Sequence, residues 1–77
     1  MDYGKRLKVM RLVRDITGRD LEDQLGLPYA ELSPIEQNRV LPTPELEQAI
    51  REALRWTEAE DRALDMLAGA VVTEATP

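Results

Sequence analysis

Residues 17–38 read TGRDLEDQLGLPYAELSPIEQN, and this stretch decides the fold. The Thr17 hydroxyl can cap the orphan amides of a helix start, with Asp20 three residues on in a capping-box-like position. Leu21 and Leu25 fall one turn apart, and Gly26 suits the left-handed residue that ends a helix. A further helix is predicted from about Pro28 to Gln37. Inside it Pro34 would remove a backbone hydrogen bond and clash with the preceding turn, at a cost of about 3 kcal/mol. Ser33-Pro34-Ile35-Glu36 itself has the form of a helix start, with Ser33 as cap, Pro34 as first residue and Glu36 closing a capping box. The spacing therefore predicts a kink or split near Ser33.

Outward from this stretch the chain reads as helical throughout. A first helix is predicted from about Tyr3 to Asp15, with Leu7, Met10 and Val13 or Arg14 on one side and Lys5, Lys8 and Arg11 around it. A fourth begins with Thr43 as cap and Pro44 in its first turn, and carries Leu46, Ile50 and Leu54 as a core stripe. A fifth opens with the capping box Thr57-Glu58-Ala59-Glu60 and continues its stripe through Ala63, Leu64, Leu67 and Val71. The expectation is an all-α, compact five-helix bundle forming one domain over residues 1–72, with a disordered tail at 73–77.

Composition excludes several functions. The 77 residues contain no cysteine and no histidine, which removes disulfides, thiolate metal sites and the commonest acid–base catalyst. No enzyme, metal or cofactor is expected. Clustered carboxylates such as Asp20 with Asp23 read as a solvated helix face. No apolar run approaches a membrane span, and the absence of cysteine suits a reducing cytoplasm. The net charge of −5 is unevenly spread. Residues 1–19 hold six basic side chains against two acids, a balance of +4, whereas residues 20–77 hold four arginines against thirteen acids, a balance of −9. Such asymmetry points to a charged partner at the basic end.

Laid end to end, the segments resemble the lambda-repressor-like (Cro/C1-type) helix-turn-helix family. The residues that carry the resemblance are Gly4 to Leu7 with Arg11, Ile16-Thr17, Leu21, Leu25-Gly26-Leu27, Leu32-Ser33, Ile35-Glu36, Pro44-Glu45-Leu46 and Ala53-Leu54. The likeness covers about Tyr3 to Leu67. It implies a helix-turn-helix fold, a role in transcription, and a structural ion pair between Arg11 of the first helix and Glu36 at the end of the third. Arginine's planar fork matches a fixed carboxylate.

Several positions depart from the family's pattern. Gly18 stands where a phosphate- or base-contacting glutamine is usual, and Glu22 where a small alanine meets the third helix. A buried Glu22 needs a partner, so a wider gap between the second and third helices is expected. The base-reading positions fall on Tyr29, Ala30, Glu31 and Pro34, with Arg39 nearby. Tyr29 can stack and Glu31 can accept from a cytosine amine, but neither attracts phosphate. The expected function is a small transcription regulator, of a kind suited to a phage, that uses the scaffold to bind an acidic protein surface, an RNA polymerase subunit. The expected contacts are Tyr3, Lys5, Arg6, Lys8, Val9 and Arg14. The alternative is a DNA-binding repressor reading through Tyr29, Ala30, Glu31 and Arg39, which the acidic charge disfavours. A third possibility is an oligomerisation module paired through Leu64, Leu67 and Val71, so that monomer and homodimer both remain open. Trp56 reads as core, and no membrane or small-molecule ligand is expected.

Overall fold

Each helix start is fixed by a side chain, and four of the five do this locally. A computed structural model describes residues 1–75, with side chains for residues 1–68. Among the described residues all regular structure is helical: α1 (Tyr3–Val13), α2 (Gly18–Leu25), α3 (Leu32–Glu36), α4 (Pro44–Leu54) and α5 (Glu58–Ala75). Asp2 accepts from the Lys5 amide at 3.0 Å to start α1, and Thr17 accepts from the Asp20 amide at 3.0 Å to start α2. Thr43 accepts from the Leu46 amide at 3.2 Å, with Pro44 in the first turn of α4. The Thr57 and Glu60 side chains each accept from the other's amide, closing the capping box of α5. Gly26 ends α2 at φ 68°, a conformation open to glycine at no steric cost.

The third helix differs from expectation. Pro28 to Glu31 form a turn with Ala30 at φ 66°, and α3 has only five residues, beginning at Leu32. Ser33 does not cap it and Glu36 closes no capping box. The Leu32 amide instead donates to the Glu22 carboxylate at 2.9 Å, ten residues earlier in the chain. Glu22 is 4% exposed, and that amide is the partner which its burial requires. The carboxylate therefore ties α2 to α3 where a wider gap was expected. Pro34 sits third in α3, within the first turn, where its missing N–H costs no intrahelical bond.

The core joins Leu7 and Met10 of α1, Leu21 of α2, Leu32 and Ile35 of α3, Ile50 and Leu54 of α4, then Trp56 and Leu64. α1 packs on α3, and α2 packs on both α3 and α4. The α1–α3 contact is close enough to require a glycine. A Cβ on Gly4 would stand 2.7 Å from the Glu36 carbonyl carbon and 2.8 Å from the Ile35 oxygen. The Gly4 amide donates to Asn38 Oδ1 at 3.0 Å. Three expected core positions are corrected: Val13 is exposed at the end of α1, and on α5 Leu67 is about half exposed and Ala63 is exposed. The α5 stripe is buried at Leu64. Val71 lies beyond the described side chains. The expected tail at 73–77 lies beyond them too, with 76–77 wholly outside the described residues.

Candidate functional site: the outer face of α1

An α-helix brings residues three, four and seven apart onto one stripe. On α1 this aligns Lys5, Lys8 and Leu12, all exposed, and beside them Arg6, Val9 and Val13. The buried stripe of Gly4, Leu7 and Met10 lies on the other side. Two lysines thus flank the exposed apolar surface of Leu12 and Val13, which are 62% and 59% exposed. Neither residue is among the contacts expected from the sequence. Their signal was present, since Leu12 sits off the phase of Leu7 and Met10.

The other expected contacts are held inside the fold. Tyr3 is partly buried and stacks on Trp56 with ring centroids 5.8 Å apart. Its hydroxyl is buried with no hydrogen-bond partner. Burial, reinforced by the negative charge of Glu47, pushes that phenol up to about 12. Val9 packs against the core. Arg6 donates to the Asp65 carboxylate and the Met1 carbonyl, and lies 3.8 Å from the Asp61 carboxylate. Arg14 donates to the Leu54 carbonyl at 2.7 Å, the Arg55 carbonyl at 3.0 Å, and both Glu60 oxygens at 2.8 and 2.7 Å. It thereby ties the end of α4, in want of donors, to the start of α5. The Thr57 amide, with Arg14 adding, holds the Glu60 carboxyl below its usual value. Of the six expected contacts, Lys5 and Lys8 are the two left open to solvent.

Arg11 and Glu36 meet in a forked pair. Arg11 Nε donates to Glu36 Oε2 at 2.9 Å and the terminal nitrogen donates to Oε1 at 3.2 Å. Both side chains are 14% exposed, and a further Arg11 nitrogen donates to the Ile16 carbonyl at 3.1 Å. The pair lines a cavity of about 360 Å³ at the α2–α3 turn, whose rim carries Arg19 and Tyr29. Arg19 lies over the Tyr29 ring at 5.3 Å. Tyr29, Ala30 and Glu31 are all exposed but stand in the turn before α3, not on a helix, and Arg39 is exposed beyond its end. Among the described residues no group of carboxylates could hold a metal ion, and no helix is long and apolar enough to cross a membrane. Comparison of the chain with family models, curated proteins and solved structures found no match.

Proposed function

We propose that the chain is a small non-enzymatic transcription regulator, built on a lambda-repressor-like helix-turn-helix scaffold, that binds an acidic protein surface through α1. The observation that carries this reading is the exposed stripe of Lys5, Lys8 and Leu12, at the end of the chain where the positive charge collects. Lysines around an apolar centre steer an acidic partner in and then bury area against it. The scaffold assignment is supported by the α2–turn–α3 arrangement, the left-handed Gly26 and the Arg11–Glu36 fork. Given the transcriptional role that this scaffold implies, the partner proposed is a subunit of RNA polymerase. Capture of purified polymerase by the immobilised chain tests this. Lys5→Glu with Lys8→Glu should abolish capture and leave the melting temperature unchanged. Capture that persists in this variant would remove α1 from the interface.

One observation favours a second reading, that of a DNA-binding repressor. Arg19 of α2 and Tyr29 of the turn that precedes α3 form an exposed cation–π pair. Tight, sequence-dependent duplex binding that survives physiological salt would select this reading over the first. Against it stand the five residues of α3 and the exposed acids Asp20, Asp23 and Glu31 around the same turn.

A further inference from the structure

The residues that fasten α5 to the rest of the chain are mostly ionic. Glu60 meets Arg14, Asp61 meets Arg51 at 2.9 Å and the Trp56 indole N–H at 2.8 Å, and Asp65 meets Arg6. Leu64 is the buried apolar residue of α5 among those described, and the next turn turns outward, with Met66 77% exposed. The side chains of these pairs are 20–61% exposed, so salt screens them and each contributes modestly.

We propose that α5 is a pseudo-ligand, an acidic helix that covers Arg6 of α1 in the free chain and is displaced when an acidic partner helix docks there. The proposal rests on the α1 docking reading above and extends it. Arg6 lies on the stripe of Val9 and Val13, adjoining that of Lys5, Lys8 and Leu12. With α5 moved aside, Arg6 joins Lys5 and Lys8 on one basic face around Val9 and Val13. The helix now on that face defines what fits it: carboxylates one turn apart, at the spacing of Asp61 and Asp65, with a leucine at the position of Leu64. A partner of that pattern re-pairs Arg6 in kind, so exchange leaves that arginine with a carboxylate.

The test uses a fluorescein-labelled poly-L-glutamate peptide as probe. Glu60→Gln with Asp65→Asn weakens the hold of α5, and glutamine keeps the capping box. This variant should bind the probe roughly fivefold tighter than wild type, because the site is open for a larger fraction of the time. Glu45→Gln with Glu52→Gln makes the same change of charge at exposed positions of α4 and serves as control. Equal gains in the two variants would overturn the proposal, leaving only a net-charge effect. Hydrogen exchange on the wild-type chain needs no variant. Saturating probe should speed exchange of the α5 amides from Asp61 to Ala68, and unchanged or slower exchange would overturn the displacement. Binding that is indifferent to Lys5→Glu and Lys8→Glu would instead sink the α1 reading beneath it. Dependence on the lysines without any response from α5 would sink the pseudo-ligand alone.

Discussion

Replacing Gly4 by alanine adds a single methyl group where α1 crosses the end of α3. The new Cβ would lie 2.7 Å from the Glu36 carbonyl carbon and 2.8 Å from the Ile35 oxygen, with the Glu36 oxygen closer still. All three are backbone atoms, so no side-chain rotation can relieve the contact. Overpacking of this kind costs about 3 kcal/mol at the upper end of its usual range. Alanine recovers up to about 1 kcal/mol through its better helix propensity. The net loss is then about 2 kcal/mol, and a domain of this size should melt roughly 8–16 °C lower. Thermal unfolding followed by circular dichroism measures the shift. Lys5→Ala, one residue along and exposed, is the matched control and should stay within about 0.5 kcal/mol of wild type. A Gly4→Ala chain that melts at or above the wild-type temperature would show that α1 does not approach the α3 carbonyls this closely.

Four further outcomes follow from the buried polar groups and the backbone. Arg11→Ala strands the Glu36 carboxylate in a site 14% exposed, and should cost about 2–4 kcal/mol in denaturant unfolding; an unchanged midpoint would mean that the fork adds nothing. Tyr3→Phe removes a buried hydroxyl with no partner and should raise stability by about 1 kcal/mol at neutral pH. The same substitution isolates a pH effect. With the Tyr3 phenol raised from 10.0 to about 12, the unfolded chain ionises first, so wild-type stability is intact below pH 10 and is lost as pH rises through about 12. The loss of wild type relative to Tyr3→Phe across that window should be of order 2 kcal/mol, and parallel pH curves for the two chains would contradict it. Ala30 holds φ 66°, so Ala30→Gly should stabilise the turn by about 1 kcal/mol, read as a higher melting temperature.

What was legible in the sequence was local. The caps at Thr17, Thr43 and Thr57 act three residues away, and the turn at Gly26 needs only its own backbone conformation, so pattern sufficed to place them. The start of α3 was misplaced because Ser33-Pro34 is a sound local signal overruled by a carboxylate ten residues upstream. The candidate site divides in the same way. Lys5 and Lys8 follow from helix phase alone. Arg6 and Arg14 looked equally available, but their partners Asp65 and Glu60 lie 59 and 46 residues along the chain, and no spacing rule reaches that far. Tyr3 was drawn into the interior by Trp56 for the same reason.

The Glu22 carboxylate that holds the first amide of α3 also sets an order on the folding reaction. Isolated helices shorter than about 12–15 residues are marginal in water, so the five residues of α3 have no independent nucleus. The first amide of α3 gains its partner only once α2 has wound far enough to present Glu22. Opening of α2 releases α3 with it, and the protection of the α3 amides against solvent exchange has that of α2 as its ceiling.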